Sequence, residues 1–72
     1  MRKIYEVVFR GKESLAGQTE TFRIESTDVV SACNKATNIF EDEWESRGYS
    51  RKELKLMDID RTEFLFELDD LS

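Results

Sequence analysis

The stretch DVVSACNKATNIFEDEWESR at residues 28–47 decides the fold, because its apolar residues recur every three or four positions, as on one face of an amphipathic helix. That apolar stripe consists of Val29, Ala32, Cys33, Ala36, Phe40 and Trp44. Asp28 predicts the N-cap, since a carboxylate there accepts hydrogen bonds from the unpaired amides of the first turn, although Ser26 or Thr27 can also serve. Gly48 lies where a left-handed C′ residue would end the helix.

Two strands are predicted before this helix. Residues 3–10 are rich in β-branched and aromatic side chains, which favours a central strand. Residues 18–26 alternate between polar and apolar side chains, as in a half-buried strand. The inward-facing side chains of the two strands are Tyr5, Val7, Phe9, Phe22 and Ile24. The polar connection from Gly11 to Gly17 suits a hairpin loop, so we expect the strands to be antiparallel.

The sequence after the helix predicts a turn at residues 49–52 and then two more strands, at 53–60 and 62–68, joined by a tight turn near Asp60. A single bent strand is the competing prediction, since no Gly or Asn marks that turn. In the last strand, one face carries Phe64, Phe66 and Leu68. The order β-β-α-β-β predicts an α+β two-layer sandwich, one helix packed on an antiparallel sheet, in a single domain spanning residues 1–72.

Length and cysteine content limit the class of protein. A chain of 72 residues forms one small core and leaves little room for a deep substrate cavity. Cys33 is the only cysteine, so no intrachain disulfide can form, and a cytoplasmic location is expected (the host cytoplasm if the chain is phage-encoded). Residues 1–3 lead directly into a strand, without the pattern of a signal peptide, and no apolar run approaches a membrane span.

The residue types needed for common catalytic sites are missing. The sequence has no histidine, which removes the commonest acid–base group near neutral pH and the commonest transition-metal ligand. Cys33 lies on the apolar stripe and is expected to be a small core residue. Asp58 and Asp60 share a predicted strand face and could bind Mg²⁺ or Ca²⁺, but this short spacing is more typical of a solvated turn. We therefore expect a non-enzymatic chain without metal or cofactor.

Negative charge is concentrated in the second half of the chain. Residues 1–36 carry six basic and five acidic side chains, whereas residues 37–72 carry five basic and eleven acidic ones. Candidate partner-binding carboxylates on the outer helix face are Glu41, Asp42 and Glu45. Those on the C-terminal strand are Glu63, Glu67, Asp69 and Asp70. Both groups can simply keep the chain soluble, or they can bind a protein with a basic surface. One alternative is an acidic nucleic-acid mimic that blocks a nuclease, a CRISPR effector or a polymerase.

The first hairpin leaves two further alternatives open. Cations beside Tyr5 resemble the mixture of charge and aromatic rings on RNA-binding sheets, although a pI of 4.7 argues against nucleic acid. These cations are Arg2, Lys3, Arg10, Lys12 and Arg23. Ile4 and Val8 predict a modest apolar patch on the open sheet face, and Leu65 and Met57 or Ile59 can join it, depending on how the later strands pair. Such a patch, or an edge strand, leaves homodimerisation open.

The run FRIESTDVVSACNKA at residues 22–36 resembles the strand–cap–helix junction of small phage-encoded β-β-α-β accessory proteins, among them anti-CRISPR proteins of similar size and acidity. The matching residues are Ile24, Ser26, Asp28, Ala32 and Ala36. The resemblance implies a non-catalytic inhibitor or adaptor, and it carries over no functional residue. The leading hypothesis is a small acidic protein-binding domain that modulates or inhibits a host protein.

Overall fold

The computed structural model describes residues 2–68. Their elements in chain order are β1 (Arg2–Gly11), β2 (Thr19–Ser26), α1 (Val29–Ser46), α2 (Arg51–Leu54) and β3 (Met57–Leu68), with a 3₁₀ turn at Glu13–Leu15 between β1 and β2. The strands form one antiparallel sheet in the order β2-β1-β3. The predicted α+β class and the central position of β1 are confirmed. The predicted order β-β-α-β-β is wrong, because a single strand follows the helices.

Local signals set both ends of α1 as predicted. The Asp28 side chain accepts a hydrogen bond from the backbone N–H of Ser31 at 2.7 Å. At the other end, Gly48 has a φ of +97°, a conformation that glycine adopts without steric cost. The buried stripe begins only at Ala32, since Val29 in the first turn is 46% exposed, contrary to prediction. No helix within residues 2–68 is long and apolar enough to cross a membrane.

Aromatic rings join α1 to the middle strand of the sheet. Phe40 stacks on Phe9 with ring centroids 4.6 Å apart and planes 11° apart. Trp44 lies 4.9 Å from Phe40, and Tyr49, after the helix, lies 4.4 Å from Trp44. Burying a side chain of the size of Phe contributes about 1.5–3 kcal/mol, so this row of rings is a large part of what holds the two layers together.

Cys33 is half-buried, where the apolar stripe predicted a core position. Its Sγ lies 3.3 Å from the Thr62 hydroxyl on β3, and either atom can donate the hydrogen bond. The thiol therefore contributes a weak polar contact between α1 and β3.

The segment predicted to begin the third strand contains α2 instead. The Ser50 side chain accepts a hydrogen bond from the Glu53 N–H at 3.3 Å, and the Glu53 carboxylate accepts one from the Ser50 N–H at 3.0 Å. This reciprocal capping box satisfies two amides at the start of a helix and favours a helical turn. Leu54, at the end of that turn, is buried in the core. The strand predicted at residues 53–60 therefore begins only at Met57.

β3 is one continuous strand with two irregularities in its register, so the competing prediction of a single strand is confirmed and the tight turn near Asp60 is wrong. Val8 pairs with Arg61 but Phe9 pairs with Ile59, which leaves Asp60 as an extra residue. In the same way, Leu65 is the extra residue between the partners of Ile4 and Tyr5. Each extra residue is a β-bulge, which shifts the alternation of side chains between the two faces.

We expect the substitution Phe40→Ala to lower the free energy of unfolding by about 3–5 kcal/mol, because it leaves a cavity between Phe9 and Trp44. Phe40 is 2% exposed. The matched control is Ile39→Ala, since Ile39 is 41% exposed on the same helix and should cost about 1 kcal/mol or less. Urea denaturation followed by circular dichroism measures both, and equal losses would contradict this description of the core.

Candidate functional site

The outer edge of β3 is open. Because β1 occupies the middle of the sheet, β3 is bonded to a neighbouring strand on one side only within residues 2–68. The strand is 12 residues long. An edge strand of this length presents a row of backbone N–H and C=O groups to which another strand can bind.

Two aromatic side chains near the end of β3 are unusually exposed. Phe64 is 51% exposed and Phe66 is 46% exposed. Phe64 lies on the helix side of the sheet and meets the Tyr5 ring edge-on at a centroid distance of 5.7 Å. Phe66 pairs with Ile4 on the opposite, open side. Exposed apolar groups clustered on one segment often mark a contact surface.

The bulge at Leu65 divides these side chains between the two faces. Phe64 and Glu67, which pairs with Lys3, lie on the helix side, whereas Phe66 and Glu63 lie on the open side. Each face of the edge therefore presents one phenyl ring and one carboxylate. The prediction that Phe64 and Phe66 share a face is wrong, because the extra residue interrupts the two-residue alternation.

A charged triad lies on the open face next to this edge. Glu6 and Glu63 are directly opposite each other in the β1–β3 register. Arg61 lies between them, with Nη2 3.3 Å from Glu6 Oε1 and Nε 3.7 Å from Glu63 Oε2. Since like charges opposite each other destabilise a strand pair, the guanidinium offsets their repulsion.

Asp58 and Asp60, considered above as a cation site, each meet a basic side chain. Lys12 Nζ lies 3.0 Å from Asp58 Oδ2, and Arg10 Nη2 lies 3.4 Å from Asp60 Oδ2. Within residues 2–68 no group of three or more possible metal ligands is present. These carboxylates therefore help to join β3 to the start of the hairpin connection, at the opposite end of the strand from Phe66.

The predicted acidic helix face has one cation close to it. Asp42 and Glu45 are exposed and Glu41 is half-buried. Arg51 of α2 lies 3.8 Å from the Glu45 carboxylate. Arg47 instead lies 3.7 Å from Glu20 on β2 and 3.8 Å from Glu43, which are not among the predicted carboxylates. On the predicted face, the charge of Glu45 is therefore offset by Arg51. Of the other predicted carboxylates, Asp69 and Asp70 lie outside the described residues.

An open cleft of about 480 Å³ lies between α1, α2 and the start of β3. Its apolar lining comes from Phe9, Phe40, Leu54, Met57 and Ile59, and its polar lining from Thr37, Glu41, Arg51, Lys55 and Asp58. The charged groups of the lining include both signs. The cleft can therefore make apolar contacts with a ligand, but its charges favour neither an anionic nor a cationic one.

The open sheet face differs from the surface predicted for nucleic acid. Tyr5 is buried on the helix side, whereas Arg2, Arg10 and Arg23, three of the cations it was expected to accompany, lie on the open face. Arg2 lies 2.9 Å from Glu25, so its charge is offset locally. Ile4 and Val8 are half-buried on the open face, as predicted. The expectation that Met57 or Ile59 joins them is wrong, because both lie on the helix side: Met57 is buried in the core, and Ile59 pairs with Phe9.

No protein-family model, curated protein or solved structure matches this chain.

We expect Arg61→Gln to lower the free energy of unfolding by about 0.5–1 kcal/mol at low salt, because Glu6 and Glu63 are left facing each other. The loss should shrink in about 1 M NaCl, which screens exposed charges. The double variant Arg61→Gln/Glu63→Gln should recover most of the stability. An equal loss at both salt concentrations would show that Arg61 acts through packing and not through charge.

Proposed function

We propose that this chain is a protein-binding domain without a catalytic role, and that its partner covers the outer edge of β3. The observation that supports this is the exposure of Phe64 and Phe66, one on each face of the same open edge. A partner strand beside β3 would contact both rings at once and would also bind the free backbone groups. No other segment of residues 2–68 combines exposed aromatic rings with an open edge.

The expected energetics fit such a partner. Burying the remaining exposed half of a phenyl ring contributes about 1 kcal/mol, and two rings give about twice that. Backbone hydrogen bonds to the edge contribute mainly orientation, because they replace hydrogen bonds to water. The edge alone therefore supports a modest affinity, and contacts on either sheet face would add to it.

The more specific proposal is that the partner is a host protein which the chain inhibits. Its support is the resemblance of residues 22–36 to small phage-encoded accessory proteins. An inhibitor of this kind needs binding and no chemistry of its own. That requirement agrees with a sequence that lacks histidine.

The alternative of a nucleic-acid mimic depends on Glu41, Asp42 and Glu45. A mimic of the phosphate backbone needs regularly spaced negative charge, and here Arg51 lies 3.8 Å from the Glu45 carboxylate and offsets its charge. We therefore place the partner on β3 and treat the helix face as the comparison site.

Photo-crosslinking tests this placement. We expect p-benzoylphenylalanine at position 66, in a lysate of the cells that encode the chain, to form one adduct with a protein of defined mass. The same group at position 42, on the helix face, and at position 14, in the connection between β1 and β2, should form none. Mass spectrometry of the adducts identifies the partner.

An adduct at position 42 and none at position 66 would contradict the placement on β3. The absence of any adduct, together with turnover of a small molecule by the purified chain, would contradict the protein-binding function itself.

A further inference from the structure

We infer that the partner binds through an extended basic segment, which joins the sheet as a fourth strand beside β3 and carries the pattern basic, apolar, apolar, basic. The inference rests on the proposed function, because it specifies what occupies the edge named there. The order of the side chains along the edge, and their charge, support this inference.

Within residues 2–68, the outer edge of β3 is open to strand addition, and the bulges at Asp60 and Leu65 interrupt its pairing with β1. A peptide that pairs with a free edge gains main-chain hydrogen bonds, and its alternate side chains meet the two faces of the sheet. Such a peptide is selected by the edge side chains that it meets, since the backbone is the same in every partner.

The exposed segment of β3 has a symmetric order. Residues 63–67 are Glu-Phe-Leu-Phe-Glu, and Leu65 is the extra residue of the bulge. Before the bulge, Glu63 lies on the open face and Phe64 on the helix side. After the bulge, Phe66 lies on the open face and Glu67 on the helix side. A partner running in either direction meets the same order, so the pattern does not depend on strand polarity.

Charge complementarity decides the chemistry of the partner. Four carboxylates, Asp58, Asp60, Glu63 and Glu67, and one cation, Arg61, lie on β3. The two carboxylates at the start of the strand already meet Lys12 and Arg10. Glu63, whose carboxylate lies 3.7 Å from Arg61 Nε, and Glu67, which pairs with Lys3 in the strand register, flank the rings and are exposed. Lys or Arg side chains opposite them, with apolar side chains opposite Phe64 and Phe66, would complement both faces.

The same charges disfavour a second copy of the chain as the occupant. Two copies of β3 side by side bring acidic strand against acidic strand, and each chain has a net charge of −5. Like charges on facing strands cost free energy, whereas a basic segment gains it. The edge is therefore protected from self-pairing while it remains open to a basic strand.

Two peptides test the inference with the full chain. The probe is acetyl-Thr-Lys-Val-Val-Lys-Thr-amide, and its matched control is acetyl-Thr-Glu-Val-Val-Glu-Thr-amide. We expect the basic peptide to bind at least about tenfold more tightly at low salt, because the flanking carboxylates attract it. Binding is followed by nuclear magnetic resonance titration, in which the amides of β3 should shift most and exchange more slowly with solvent.

Charge-neutral variants locate the site. Glu63→Gln/Glu67→Gln should weaken binding of the basic peptide about tenfold. The matched control Asp42→Asn/Glu45→Gln removes the same charge from the helix face and should leave binding unchanged. Equal binding of both peptides, an unchanged affinity in the β3 variant, or a free chain that is already a dimer with protected β3 amides would each overturn the inference.

The inference and the proposed function fail separately. If the adduct at position 66 forms with a cellular protein but the basic peptide does not bind β3, the protein-binding function stands and the extended basic segment is wrong. If the peptide binds β3 and no cellular protein is crosslinked at position 66, the edge is selective for basic strands but the placement of the cellular partner on β3 is wrong.

Discussion

The stacking of Phe40 on Phe9 is the interaction on which the rest of the structure depends. It places the C-terminal half of α1 over the middle strand, where Trp44 and Tyr49 extend the row of rings. The single long helix cannot cover the whole sheet, because its large side chains gather at this end and Ala32 begins its buried stripe at the other. The exposure of Phe64 on the helix side of the sheet follows from this arrangement.

Sequence patterns were most informative for features that are determined by residues close together in the chain. The cap at Asp28, the left-handed residue at Gly48 and the inward faces of β1 and β2 all depend on neighbouring residues, and all are found in the structure. The helical turn α2 also had a local signal, the Ser50–Glu53 capping box, which our sequence interpretation missed. The bulges in β3 had none, because a bulge is set by the register with β1.

In the candidate site, too, some features follow from the sequence and others depend on the strand register. Glu63 and Glu67 were identified from charge alone, whereas Phe64 and Phe66 were expected to share one face. A strict two-residue alternation cannot foresee that an extra residue at Leu65 places the rings on opposite faces. Once that bulge is known, the symmetric order of residues 63–67 becomes meaningful, because each face then has its own ring and its own carboxylate.

The most direct test of this account is a set of nuclear Overhauser contacts in the free chain. We expect the Phe64 ring to contact the Tyr5 ring, 5.7 Å away between centroids, and the Phe66 ring to contact Ile4 on the other face. Contacts from both phenyl rings to Tyr5, with none to Ile4, would mean a regular strand with both rings on the helix side. That result would contradict the bulge and the two-faced edge that depends on it.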